Sequence, residues 1–177
     1  MTGQQIFTNQ QIDLSSIPTA AYIDFLPLEK SYRTILVIGS LVFTGIIAIG
    51  LVIVFWQTDV PGWIAISALS FWLLLGVLQL VFIFKGFKCK GYALRERDMT
   101  YKKGWLYKKQ VTVPFKRIQH VDIKQGVFER AYGLAKLNVY TAGGNTSDLS
   151  IPGLILEDAK QYKSYILGVL EADDEEE

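Results

Sequence analysis

"TILVIGSLVFTGIIAIGLVIVFW" (34–56), "QTDVPG" (57–62) and "WIAISALSFWLLLGVLQLVFIF" (63–84) are two apolar runs and the short link between them. The first and third pieces carry no charged residue. Each is long enough, at about 1.5 Å per residue, to cross a hydrocarbon core roughly 30 Å thick. The link between them is short and contains Pro61-Gly62, a turn signal. Two spans joined so closely run antiparallel, as a hairpin. A cleaved leader is not expected, because the first span follows a long polar segment and outruns a signal-peptide core.

Working outward, lysine and arginine set the orientation. Lys30 and Arg33 precede the first span, and Lys85, Lys88, Lys90, Arg95 and Arg97 follow the second. The link has no basic residue and one carboxylate, Asp59. The positive-inside rule therefore expects both termini in the cytoplasm and the link outside, in a multi-pass protein of the cell's inner (cytoplasmic) membrane. Trp56 and Trp63 flank the link, where interfacial aromatics belong.

Within the first span Ser40, Thr44 and Ala48 recur at every fourth residue. This stripe of small side chains lets a second helix approach closely. Nothing ionisable lies in either span, and Gln79 is the lone amide. Gln79 is expected to make a helix-packing hydrogen bond rather than to line a transport path.

Outside the hairpin the chain reads as ordinary soluble protein. Eighteen lysines and arginines against seventeen carboxylates give a formal charge of +1, which offers no case for nucleic acid. One cysteine, Cys89, and one histidine, His120, exclude a disulfide framework and a Cys/His metal site within one chain. Cys89 lies between Lys88 and Lys90, but a lone thiol with no base beside it is expected to be inert. No Ser/His/Asp set, nucleotide motif or cofactor motif appears, so an enzyme is not expected.

After Phe84 the apolar period changes to two. "KGFKCKGYALRERDMTY" (85–101), "YKKQVTVPF" (107–115), "IQHVDIKQG" (118–126), "LNVYTAGG" (137–144) and "TSDLSIPG" (146–153) read as five or more short antiparallel strands with one buried face. The alternation in "IQHVDIKQG" is irregular at its start. "VFERAY" (127–132) reads as a short helical turn ended by Gly133. In "LILEDAKQYKSYILGVL" (154–170), Ile155, Ala159, Tyr162, Ile166 and Val169 recur at helical spacing, so a terminal amphipathic helix should cover the sheet. The glycines of "GLAKLNVYTAGG" (133–144) raise the question of a phosphate loop, which needs a helix N-terminus directly after it. "NTSDLSIPG" follows instead, so the pair Gly143-Gly144 is read as a hairpin turn.

The segments are thus 1–33, a cytoplasmic stretch of irregular or short-helical structure; 34–84, the transmembrane hairpin; 87–171, the sheet and helix; and 172–177, an acidic disordered tail. The class is α+β: a two-helix hairpin, then an antiparallel β-barrel or sandwich with a C-terminal α-helix.

"YALRERDMTYKKGWLYKKQVTVPFKRIQHVDIKQGVFERAYGLAKLNVYTAGG" (92–144), followed by "IPGL" (151–154) and a helix, resembles the membrane proteins with a bacterial PH domain, the YdbS-like type among them. The specific parts are "GWL" (104–106), "VPFKRIQHV" (113–121) and "FERAYGLAKLNVYTAG" (128–143), and the likeness runs from Pro27 to about Leu170. It implies a PH-like barrel anchored in a bacterial membrane. It also implies a protein partner with PH-like domains of its own and a role in envelope stress or toxic-peptide resistance. It implies no chemistry.

The leading expectation is a scaffold that binds a partner at the cytoplasmic face through the basic rim Lys108, Lys109 and Arg117. One alternative is an anionic-lipid sensing module using Lys88, Lys90, Arg95 and Arg97, paired by strand alternation on shared faces. Attraction to anionic lipid, about 1 kcal/mol per basic residue at the surface, already accounts for such charge beside a span. Another alternative is an accessory subunit of a transporter, built on the Ser40 stripe. Lys102, Lys103, Lys108 and Lys109 flank "GWLY" and are read as a solvated hairpin or a second contact with the leaflet. His120 and Asp122 face outward between core positions. Glu129 and Arg130 either pair with each other or cap strand ends, with Arg130 as a stabiliser of the fold.

Overall fold

The computed structural model of the protein describes residues 23–142 and 148–175. Of the sequence readings, the first 22 residues, the Gly143-Gly144 turn and the last two glutamates lie outside this range. Two long helices, α1 (Lys30–Gln57) and α2 (Gly62–Lys88), form the expected hairpin. Each extends beyond its uncharged run, α1 by four residues at its start and α2 by four at its end. Both are long and apolar enough to cross a membrane, and only 6% of the most apolar window of each is buried within the protein.

The Ser40 stripe faces the second helix as the spacing required. Ser40 is buried and Thr44 half-buried, and a Cβ on Gly76 of α2 would stand 2.9 Å from the Thr44 methyl. The Trp72 indole N–H donates to the Thr44 carbonyl at 3.0 Å, locking the pair in register. Gln79 departs from expectation. It is exposed on α2 and makes no packing bond between the helices. A helix apolar on every side does not show which face it turns inward; here the small Gly76 makes the choice.

Beyond the hairpin come β2 (Gly91–Leu94), β3 (Asp98–Lys103), β4 (Lys109–Pro114), a 3₁₀ turn (Phe115–Arg117), β5 (Ile118–Lys124), α3 (Val127–Ala131), β6 (Leu134–Thr141), β7 (Leu149–Ile155) and α4 (Leu156–Glu175). A further strand, β1 (Leu26–Pro27), precedes the hairpin and pairs antiparallel with Gly91-Tyr92 of β2. The strands form two antiparallel sheets, β1-β2-β3-β4 and β5-β6-β7. The class is α+β, as read from the sequence. The sheet is not confined to residues 87–171, since β1 completes it from the other side of the hairpin.

One core fills the space between the sheets and α4. Met99, Phe115, Val121, Leu137, Val139, Leu149, Ile151 and Ile166 are all essentially inaccessible. Leu28, next to β1, joins the same cluster. The buried polar groups of the two sheets are paired across strands: Thr100 with Thr112 at 2.9 Å, and Ser150 with Asn138 at 2.8 Å. The irregular start of β5 is a register shift between Ile118 and His120. That shift explains why both Ile118 and Val121 point inward although they are three residues apart.

α4 presents Ala159 and Ile166 to the core, with Tyr162 and Val169 packed beside them, and it rests on the second sheet. Ile155 ends β7 and is exposed, so it is not the first of the helical set. The helix continues to Glu175, through part of the acidic run read as a disordered tail. Having started on the packed face, it carries on past its last core contact at Leu170.

Candidate functional site

The strand directions give the domain two ends. β2 leaves the hairpin at Gly91, directly after α2, and carries the chain away from it. The β2–β3 turn (95–97), the 3₁₀ turn and the end of β6 therefore lie at the far end. The β3–β4 turn (104–108), α3 and the start of α4 lie at the hairpin end.

At the hairpin end a cleft of about 400 Å³ is lined by Lys88, Lys102, Lys103, Lys108 and Lys109, with Cys89, Gly104 and Gln110. It forms because β3 and β4 pair out to Lys103 opposite Lys109, bringing both lysine pairs back against the end of α2. Among the described residues lining it there is no carboxylate. Like charges this close raise the potential of the cleft for an anion. Just outside, Lys90 feels the crowding: burial first, and the Lys103 charge second, push its ammonium pKa down.

The surrounding cations are held over aromatic faces. Lys102 Nζ lies 3.9 Å from the Phe25 ring centroid, Lys85 Nζ 4.6 Å from that of Trp105, and Lys90 Nζ 5.5 Å from that of Tyr32. Arg33 of α1 reaches across to Phe84 and Phe87 of α2, at 5.5 and 5.9 Å. Such contacts hold a charge in place without neutralising it. The cleft thus sits in an ordered cationic and aromatic belt around the base of the hairpin.

The hairpin is also fastened to the domain. The Glu29 N–H donates to the Gly153 carbonyl of β7 at 3.2 Å, and the Tyr32 ring lies directly on Gly153. Burial pushes the nearby Tyr101 phenol up to about 12. Tyr92 and Tyr162 meet edge-on with their hydroxyls 3.4 Å apart, tying β2 to α4.

The structure divides both groups of basic residues singled out from the sequence. Lys88 lines the cleft and Lys90 adjoins it. Arg95 and Arg97 stand at the far end of β2, about 15 Å further along at the rise of an extended strand. There Arg95 forms a two-pronged pair with Asp98, Nε to Oδ1 at 2.7 Å and Nη2 to Oδ2 at 2.5 Å. The Arg97 carbonyl accepts from the Phe115 N–H at 3.0 Å. Alternation along a strand assigns a face but not a height, and height separates these pairs. The rim of Lys108, Lys109 and Arg117 divides likewise: the lysines line the cleft, while Arg117 lies beyond the far end of β4.

His120 is exposed and leans against the Tyr140 ring, and Asp122 pairs with Lys124 at 3.5 Å. Glu129 caps a helix rather than a strand end: its carboxylate accepts the Gly126 N–H at 2.6 Å, at the start of α3. Arg130 is exposed. Reading the sequence placed Lys102, Lys103, Lys108 and Lys109 around one turn but did not join them to Lys88. Pairing of β3 with β4 brings Lys103 and Lys109 together, but no spacing in the sequence joins them to Lys88.

The family described as bacterial PH domain matches residues 34–169, a stretch that takes in both apolar runs of the hairpin and every strand except β1. Over 108 residues the chain is 33% identical to the UPF0699 transmembrane protein YdbS of Bacillus subtilis (strain 168). That alignment covers 60% of this chain and 65% of the relative, so the chain spans somewhat less than two thirds of that protein's length. A solved DUF1696 family protein with a pleckstrin-homology domain, from Shewanella loihica PV-4, is similar at a TM-score of 0.36 and 15% identity, over 45% of this chain and 69% of that one.

Proposed function

The chain belongs to the bacterial PH domain family, and from that premise we propose that its domain binds anionic lipid headgroups at the cytoplasmic surface of the membrane that its hairpin spans. The observation that carries this reading is the lysine cleft at the base of α2. Five lysines and no described carboxylate line a space of about 400 Å³, against the end of a helix that enters the bilayer. The cleft is open to a ligand that is always present at that height. The protein acts through this surface and not through bond chemistry. A partner-binding scaffold, the first reading from the sequence, draws on the family resemblance; the cleft is what moves the balance to lipid.

The test uses the full chain, purified in mild detergent and examined by native mass spectrometry for retained lipid. Phosphatidylglycerol or cardiolipin should be retained in preference to phosphatidylethanolamine. Added salt should weaken the preference, because screening shortens to about 8 Å at physiological ionic strength. Changing Lys102, Lys103, Lys108 and Lys109 together to glutamine should remove on the order of 4 kcal/mol at low salt, at about 1 kcal/mol per lysine. Equal retention of zwitterionic and anionic lipid, or an unchanged preference in that variant, would sink the reading.

The cytoplasmic placement has its own check. A reporter fused after Glu177 should be active only in its cytoplasmic form, and a tag beside Asp59 should be labelled from outside the cell. Labelling of the Asp59 tag from the cytoplasmic side alone would reverse the orientation and place the cleft on the other leaflet.

A further inference from the structure

The turn between β3 and β4 leaves two adjacent bulky residues bare, Leu106 at 76% exposure and Tyr107 at 82%. A scattered apolar residue on a surface needs no explanation, but a contiguous apolar tip beside a membrane helix does.

The height of this tip is fixed by Trp105. Its ring meets Phe82 of α2 edge-on, with centroids 5.7 Å apart, and Lys85 lies over its face. Phe82 is six residues before the end of α2 at Lys88 (88 − 82), which is about 9 Å along a helix axis. It belongs to the uncharged run that ends at Phe84. The turn therefore rises alongside the last apolar turn of α2 and does not stop below it.

Its shape is fixed as well. Gly104 has a φ of +98°, a conformation that side chains oppose, and a Cβ there would collide with the Tyr107 carbonyl. Beneath the tip, Lys103 on one stem pairs with Lys109 on the other, with Lys102 and Lys108 next to them along the chain.

From the tip downward the order is aliphatic and aromatic, then tryptophan, then a ring of lysines. A bilayer presents the matching order: acyl chains, the interface that favours tryptophan, and a headgroup layer that attracts cations. We propose that Trp105, Leu106 and Tyr107 insert into the leaflet next to the hairpin, as a wedge that sets the depth of the lysine cleft. The occupant of this apolar surface is lipid, because the tip continues the lipid-facing surface of α2 and its collar carries the charge a leaflet attracts. The proposal deepens the lipid reading of the cleft. Insertion itself follows from height and apolarity and needs no anionic lipid.

The experiment uses the full chain with Cys89→Ser and Leu106→Cys, labelled with an environment-sensitive nitrobenzoxadiazole dye and reconstituted in purely zwitterionic phosphatidylcholine vesicles. A second variant carries the label at Tyr107→Cys, and a reference carries it at Glu96→Cys in the far turn. Both tip labels should emit to the blue of the reference. They should be quenched severalfold more by a lipid spin-labelled near the headgroup, and severalfold less by aqueous iodide. Reference-like emission and iodide quenching at both tip positions would overturn the wedge. So would shielding from iodide and lipid quencher together, since a protein surface would then cover the tip. Because these vesicles hold no anionic lipid, failure of the cleft's lipid preference leaves this result untouched, and the reverse also holds.

Discussion

Val139→Asp should leave no folded domain. Val139 is fully buried in the middle of β6, between Val121 on β5 and Leu149 on β7, both of them buried too. A carboxylate at that point meets only apolar neighbours, and an unpaired buried charge costs several kcal/mol, against a typical total stability of ~5–15 kcal/mol. The expected readout in detergent is loss of the near-ultraviolet circular dichroism of the aromatic core, while the far-ultraviolet helical signal of α1 and α2 survives. Leu137→Asp, two residues earlier on the same inaccessible face, should behave alike. Gln119→Asp, exposed on β5, should change stability by no more than about 0.5 kcal/mol. A cooperative thermal transition retained in Val139→Asp would mean that the two sheets do not share the core described above.

Gly153→Ala is the second large effect, and it acts at the joint between hairpin and domain. The φ of +69° at Gly153 costs an ordinary residue about 1–2 kcal/mol. In addition, a Cβ there would stand 2.5 Å from Tyr32 Cγ and 2.6 Å from Tyr32 Cβ, well inside contact distance. The clash pushes the first turn of α1 off β7 and strains the Glu29 bond to the Gly153 carbonyl. The steric and backbone parts separate in a double-mutant cycle with Tyr32→Ala. Gly153→Ala should cost on the order of 1–2 kcal/mol less when Tyr32 is already truncated, a coupling within the range seen for residues in contact. Thermal unfolding of the four proteins in one detergent measures it. Strictly additive costs would show that Tyr32 does not rest on Gly153 in the folded protein.

The parts of this molecule legible in the sequence are those in which one physical demand dominates. The hairpin was readable because a bilayer tolerates no charge across its core, and residues 34–56 and 63–84 have none. α4 was readable because Ala159, Tyr162, Ile166 and Val169 must all meet one sheet. α3 and its end at Gly133 were readable from turn chemistry. β1 was not: two residues, one of them proline, carry no periodicity, and their pairing with Gly91-Tyr92 depends on the chain returning from the hairpin. Gln79 was read as an interhelical bond because a polar group in a span seeks a partner, but Thr44 meeting Gly76 fixed the rotation of α2 instead. The lysine cleft was legible in its members and not in its assembly. Lys88 and Lys109 are 21 positions apart (109 − 88), and the folding back of β3 on β4 unites them.

β1 has a consequence for the order in which the protein is made. Leu26 pairs with Tyr92, a partner 66 positions later (92 − 26), and both transmembrane helices are synthesised in between. The first strand must therefore wait, unpaired, while α1 and α2 are threaded through the membrane. Its partner reaches it only if α2 returns the chain to the side from which α1 left. A hairpin inserted by only one of its helices would strand β1 and β2 on opposite faces of the bilayer, with Leu28 shut out of its core. The sheet thus closes over Leu28 only when both crossings are complete.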